Sequence, residues 1–244
     1  MALKIQKTKT LWVCCALVVV LALGVVAYLL LNRGSMAAFA RMEEHTLIID
    51  PGHGGEDGGA LSASGHAESA VNLDIALRLD QIMGFYGVPT MLTRDSDISI
   101  HDEKARTLRE KKVSDLHNRV AQINSIENAT LISIHQNSFP NYRYHGAQVF
   151  YGGEAGSQEL AKSIQESIQS ALDPENNRTP QRVQRTVYLM KNVSCRAVLV
   201  ECGFLSNPEE EKLLQEKAYQ MKLAMVLGAS YLQSGETQEG ESLI

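Results

Sequence analysis

The sequence lacks most of what would mark a nucleic-acid binder or a disulfide-stapled module. Lys and Arg number 23 against 28 Asp and Glu, a net charge of −5, and no stretch is basic enough to follow a phosphate backbone. Cysteine is scarce. Of the four, Cys14 and Cys15 lie in an apolar run, and Cys195 and Cys202 bracket a stretch that reads as a strand. A strand of that length holds its ends about 23 Å apart, far beyond disulfide reach. A disulfide framework and a cysteine-built structural zinc site are therefore excluded. No G-K-[ST] follows the glycines between Gly52 and Gly59, so there is no P-loop. There is no G-x-S-x-G elbow either, and no internal repeat is visible.

Residues 11–31 form a charge-free apolar run preceded by Lys4, Lys7 and Lys9 and followed by Arg33. At 1.5 Å per residue a helix of this length spans a hydrocarbon core of about 30 Å. The lysines place the N-terminus in the cytoplasm and everything downstream outside. The alternative is a cleaved signal peptide, with Ala38-Phe39-Ala40 as the cleavage site. Such peptides have apolar cores of about 7–15 residues, so the longer run favours an uncleaved anchor. Either way the working domain is expected outside the cytoplasm. The expected organisation is a basic tail (1–10), the anchor (11–31), a linker (32–45), one catalytic domain (46–234) and a flexible acidic tail (235–244).

From Thr46 onward, short apolar runs alternate with amphipathic stretches. Residues 46–49, 90–93, 130–134, 147–151, 187–190 and 197–200 read as strands, most of them near-continuously apolar, as in a sheet covered on both faces. Val71, Ile75, Leu79 and Ile82 share one helical face, as do Leu116, Val120 and Ile123 on the next. Residues 158–172 and 209–232 are further helices, the last opened by Asn207 as N-cap, Pro208 at the first position and Glu210 closing a capping box. This alternation predicts one three-layer α/β domain with a mostly parallel, about six-stranded sheet between helices.

Three polar residues stand at predicted strand ends, where open α/β sheets bind ligands. His53 follows the first strand in Asp50-Pro51-Gly52-His53-Gly54-Gly55, His135 follows residues 131–134, and Glu201 follows residues 197–200. Glu68, in the first turn of the first helix, falls on the stripe of Ile75 and Leu79 and so faces the sheet. A carboxylate there is costly unless paired or bound to a metal, although an acidic residue in a first turn also simply complements the helix dipole. Two imidazoles and a carboxylate are a common donor set for catalytic zinc with one open position. Glu201 then suits a general base. His66, two residues from Glu68, competes as a ligand. His45, His101, His117 and His145 read as surface or packing. Arg94 and Asn137, near strand ends, are candidates for assisting the substrate oxyanion. The rival chemistry is a serine or cysteine hydrolase drawing on Ser133, Ser194, Cys195 or Cys202, although Cys202 reads as filler under the sheet. A catalytically silent binding module is the alternative from another class.

The same residues carry a resemblance. Ile48-Ile49-Asp50-Pro51-Gly52-His53-Gly54-Gly55, Glu68 with Asn72-Leu73, Thr93-Arg94, Ser133-Ile134-His135-Gln136-Asn137 and Val200-Glu201-Cys202-Gly203-Phe204-Leu205-Ser206-Asn207 resemble, in order, the motifs of the zinc N-acetylmuramoyl-L-alanine amidases. The likeness runs over residues 46–232. Asp115-Leu116-His117-Asn118-Arg119-Val120 and Val187-Tyr188-Leu189-Met190-Lys191, with the apolar N-terminus, resemble the germination-specific type found in spore formers. The resemblance implies one Zn2+ on His53, Glu68 and His135, catalysis by Glu201, and cleavage between muramic acid and the stem peptide. It also implies a part in forming muramic-δ-lactam in spore cortex, with an activating partner in some relatives. Ser69, where relatives usually carry Lys, and Cys202, where a β-branched or apolar residue is commoner, depart from the pattern without touching a proposed ligand. No long insertion separates His135 from Gly146, so the self-blocking helix of some cell-division relatives is not expected. No wall-binding repeat is appended, which leaves targeting to the N-terminal segment or a partner.

Overall fold

The computed structural model describes residues 45–241 and, before them, Gly24 alone, with side chains described through residue 234. The expected anchor, residues 11–31, lies outside the described residues together with Cys14 and Cys15. Among the described residues no helix is long and apolar enough to cross a membrane.

The chain runs β1 (Thr46–Pro51), α1 (Glu68–Phe85), β2 (Thr90–Leu92), α2 (Leu108–Asn124), β3 (Ala129–Asn137), β4 (Gln148–Tyr151), α3 (Ser157–Ala171), β5 (Gln181–Arg182), α4 (Tyr188–Asn192), β6 (Arg196–Phe204), α5 (Pro208–Gln215) and α6 (Lys217–Glu241). One six-stranded mixed sheet has the order β2-β1-β3-β6-β4-β5. β2, β1, β3 and β6 are parallel neighbours, whereas β4 runs antiparallel to β6 and carries the short β5 beside it. The carboxyl ends of β1, β3 and β6 therefore share one edge of the sheet.

Both faces of the sheet are covered, which is why the central strands are apolar at successive positions. Leu47, Ile49, Ile132, Ile134, Val198 and Val200 pack on one side with Ile75 and Leu79 of α1, Leu160 and Ile164 of α3, and Leu223 and Leu227 of α6. Ile48, Leu131, Ala197 and Leu199 pack on the other with Ile123 of α2 and Leu189 and Met190 of α4. The α2 start is fixed by a capping box, in which the Thr107 hydroxyl accepts from Glu110 N–H while the Glu110 carboxylate accepts from Thr107 N–H.

Several expectations are corrected. Residues 187–190, expected as a strand, instead cap and open the short helix α4, with Val187 as its N-cap. An apolar run this short fits either period, and α4 buries Leu189 and Met190 against the sheet. β5 is too short, and at Gln181 and Arg182 too polar, to have been predicted. The single helix expected over 209–232 is two, because extended backbone at Glu216 separates α5 from α6. Asn207 does cap α5, accepting from the N–H groups of Glu209 and Glu210. Glu210 closes no box, since its carboxylate accepts instead from Phe204 N–H at 2.8 Å and Gly146 N–H at 2.9 Å. The α6 backbone also continues to Glu241, past residue 235 where the tail was expected to begin.

Beneath the carboxyl edge lies a buried ionic network. Arg119 of α2 is 2% exposed by side chain; it donates to Asp50 Oδ1 and Asp115 Oδ2 at 2.6 Å each, to Pro51 O at 2.9 Å and to His53 O at 2.7 Å. Asp50 also accepts from the hydroxyls of Thr93 and Ser133, both at 2.7 Å. Burial alone would raise the Asp50 carboxyl, but Arg119 and the two hydroxyls overcome it and hold the group at about 2. Such a depressed carboxyl contributes stability that is fully present above its unfolded value of 3.8 and is lost as pH falls through about 2. Removing one partner of a buried pair strands the other charge, which costs about 3–5 kcal/mol. Arg119→Ala is therefore expected to lose that much in urea unfolding, and to shift acid unfolding to higher pH as Asp50 loses its cation. An unaltered urea midpoint would show that the network carries no stability.

Candidate metal centre

His53 of the loop after β1, Glu68 of α1 and His135 of β3 meet at the shared edge, with one donor atom of each all within 4.8 Å of one another. Glu68 is the pivot. It opens α1 and is buried, with Oε2 3.3 Å from His53 Nε2 and Oε1 2.9 Å from His135 Nδ1. Its remaining capacity is taken by Ala60 N–H on Oε2, and by Gln136 N–H and the Asn72 amide on Oε1. Burial pushes this carboxyl up, and the hydrogen bonds and charges of His135 and His53 outweigh it, holding the group well below the carboxylate range. The two rings lie edge to face with centroids 5.1 Å apart. They are close enough to share one ion.

Two glycines make that approach feasible. A Cβ on Gly52 would lie 2.2 Å from the His135 ring, and one on Gly59, at φ +70°, would lie 2.6 Å from Glu68 Oε2 and 2.7 Å from His53 Cδ2. His53 itself sits at φ 62°, a left-handed conformation that costs a non-glycine residue about 1–2 kcal/mol. The carbonyls around it are held by cations: Arg119 takes those of Pro51 and His53, and Arg94 those of Pro51 and Gly52.

Glu201 is paired in register with His135 on the adjacent strand, so both side chains leave the same face of the sheet. Its Oε2 is buried with no hydrogen-bond partner among the described residues. Burial is the main reason its carboxyl is raised to about 7; His135 lowers it, and the nearby Glu68 raises it further. A buried, unsatisfied carboxylate oxygen beside a cluster of donors is rare in native structures and marks a group kept for chemistry.

The other candidates part company here. His66 is exposed, its Nδ1 2.8 Å from Ser64 Oγ, and does not join the cluster. Arg94 is buried, and its guanidinium is spent on the carbonyls of Pro51, Gly52, Ser69 and Ser96. These bonds tie it to the loop that carries His53. Asn137 ends β3, its carbonyl accepting from Leu205 N–H at 2.8 Å, and its side-chain amide has no partner among the described residues. The rival nucleophiles fail on geometry and protonation. Ser133 is fully buried and donates to Asp50, and Ser194 Oγ donates to Asn124. Both thiols are free; burial pushes Cys195 up to about 11 and Cys202 higher still. Neither is a thiolate near neutral pH.

Sequence reasoning missed Asp57. Its Oδ2 lies 3.0 Å from His53 Nδ1, and Lys112 Nζ is 2.7 Å from its Oδ1. A carboxylate on the far nitrogen fixes the tautomer that leaves Nε2 directed at Glu68, the usual partner of a metal-binding imidazole. The signal was an acid four residues after a candidate ligand in a glycine-rich loop. Asp50 and Arg119 were missed as well, being ordinary charged residues until the fold buries them together.

Residues 47–229 match the N-acetylmuramoyl-L-alanine amidase family over most of the chain. The chain belongs to that family. The amidase is 38% identical over 179 residues to the germination-specific N-acetylmuramoyl-L-alanine amidase of Bacillus subtilis, covering 73% of this chain and 74% of that one. It superposes with a TM-score of 0.75 on the CwlD amidase from Clostridioides difficile, solved in complex with the GerS lipoprotein, at 38% identity over 78% of this chain and 98% of that one. The AmiC2 amidase of Nostoc punctiforme follows at a TM-score of 0.67 and 28% identity, covering 78% and 96%.

Two predictions follow from the amidase's donor cluster. Burial lowers the His53 imidazole, but its hydrogen bonds to Asp57 and Glu68 raise it to about 9, so the metal-free ring carries a proton at neutral pH. Binding an ion must release that proton. Zinc affinity is expected to weaken by roughly tenfold for each pH unit below about 9; titration calorimetry in buffers of different ionisation enthalpy checks this by counting the protons released. Asp57→Ala is expected to lower zinc affinity by about 10–100-fold, measured by competition with a chromophoric chelator, and affinity equal to the parent would remove Asp57 from the support of His53.

Proposed function

We propose that the amidase hydrolyses the amide between the lactyl group of N-acetylmuramic acid and the L-alanine of the stem peptide, using one Zn2+ held by His53, Glu68 and His135 with Glu201 as general base. The observation that carries the reading is the orphaned Glu201 Oε2 on the strand paired with His135. The donor set fits zinc in kind, two imidazoles and a carboxylate with a side left open. A zinc ion there supplies Lewis acidity, polarising the scissile carbonyl and making water a better nucleophile at neutral pH.

The protein's own steps concern one proton. Glu201, poised near neutrality by burial, takes a proton as a water oxygen bonds to the carbonyl carbon. It then gives that proton to the alanine nitrogen as the carbon–nitrogen bond breaks, so a free amine leaves and the lactyl carboxylate remains. Asp57 and Glu68 keep the His53 ring in one orientation throughout. The free amide of Asn137, at the end of the His135 strand, is placed to bind the substrate's polar groups. A silent wall-binding module would have no use for an unsatisfied buried acid, and the filled base and ligand positions favour the enzyme.

Similarity to the germination-specific amidase supports a role in spore cortex, where removal of the stem peptide precedes deacetylation and closure of the muramic-δ-lactam ring. The pairing of the Clostridioides difficile relative with a lipoprotein supports an activating partner here too. The apolar run at residues 11–31 supports a membrane-held protein whose catalytic domain works outside the cytoplasm. Glu201→Gln is expected to bind zinc at the parent stoichiometry, read by metal analysis, while release of free stem peptide from purified cell wall falls by about 10²–10⁴-fold. Undiminished release, or release that survives a chelator in the parent, would remove the mechanism.

A further inference from the structure

Beyond the reacting centre, the carboxyl edge carries aromatic rings that the chemistry does not use. Residues 138–147 join β3 to β4, which flank β6 on either side. That connection must pass over the carboxyl end of β6, the strand of Glu201. On it stand Phe139, Tyr142 and Tyr144, which are 49%, 61% and 47% exposed. The Phe139 and Tyr144 rings meet edge to face at 4.7 Å, and Tyr144 stacks at 6.3 Å on Phe204, three residues beyond Glu201. At strand spacing this row begins about 10 Å from the base.

The row is built in advance of any ligand. The Asn207 amide donates to the carbonyls of Tyr142 and Tyr144, and Phe139 N–H donates to Ser206 Oγ. The Arg178 guanidinium lies over the Phe204 ring, 5.0 Å from its centroid, and donates to His145 O and Gln148 Oε1. The hydroxyls of Tyr142 and Tyr144 have no partner among the described residues. Fixed rings with open surfaces and unengaged hydroxyls offer an apolar area ringed by hydrogen-bonding groups, at low entropic cost on binding. An exposed apolar patch continuous with a catalytic edge marks a ligand groove.

We infer that Phe139, Tyr142 and Tyr144 form a saccharide platform that holds the glycan strand beyond the muramic residue being processed. This rests on the proposed amidase function and deepens it. Sugar rings present flat C–H faces to aromatic rings and equatorial hydroxyls to phenols, and the glycan strand extends the proposed substrate on the sugar side of the scissile amide, as the stem peptide does on the other. Binding energy from such remote contacts raises the efficiency of cleaving a polymer over a single-sugar fragment.

The test compares the parent, Tyr144→Ala, Tyr142→Ala and Tyr144→Phe on polymeric peptidoglycan and on a soluble one-sugar muramoyl peptide. Each alanine variant is expected to raise KM for the polymer about tenfold with little change in kcat, so that the preference for polymer over fragment falls by the same factor. Tyr144→Phe should recover most of it, because the ring remains. To separate this from a failure of the amidase reading, Glu201→Gln alone and with Tyr144→Ala is sedimented with purified sacculi. Weaker sedimentation of the double variant supports the platform even if no hydrolysis is measurable. Equal losses on polymer and fragment, or unchanged sedimentation, overturn it. So does sedimentation that persists while capture of a lipoprotein partner is lost, which would assign the rings to a protein surface.

Discussion

The arrangement depends on two buried arginines gripping one turn of backbone. Arg119 and Arg94 between them take the carbonyls of Pro51, Gly52 and His53, and so keep His53 in a conformation it would otherwise avoid. Burial lowers Arg94 to about 10, and the neighbouring Arg119 cation adds to that effect. Asp50 and Asp115 supply the compensating charge. Sheet, helix α2 and the glycine-rich loop are thereby joined at one point, and the imidazole projects from that point toward Glu68. Such a grip leaves little freedom to a side chain whose use depends on its direction.

Around it the protein separates two carboxyl groups by environment. Glu68 accepts hydrogen bonds on both oxygens and faces two imidazoles, which keeps it charged. Glu201 is enclosed, and that burial brings it near neutrality, with one oxygen unpartnered among the described residues. Neighbouring acids driven apart in this way take different tasks, one holding charge and the other exchanging a proton. The separation comes from placement: Glu68 faces the loop and β3 from the first position of α1, whereas Glu201 lies on β6 beside the His135 strand.

Much of this was legible in the sequence because the signals were long. Apolar runs bounded by amphipathic helices gave the layered α/β domain, and polar residues just past those runs pointed to the edge where the donor cluster meets. Short elements were not legible. Residues 187–190 carry too few positions to show a period, and β5 has no apolar character at all. Glu216 breaks the last helix with no Gly or Pro to announce it. Charged residues misled in a different way. Arg94 lies near a strand end, as a substrate contact would, and only the fold shows it bonded to four backbone carbonyls. Asp57, Asp50 and Arg119 gain their meaning from neighbours as much as 69 residues away in sequence.

The close seat of His135 over Gly52 bears on how relatives are judged. One added methyl at that position would crowd the ring while leaving every donor of the cluster in the sequence. A checklist of metal-binding residues would still pass such a protein as an active hydrolase. Inert descendants of this fold thus have a route to silence that is invisible to ligand inventories, and residue 52 is where to look for it.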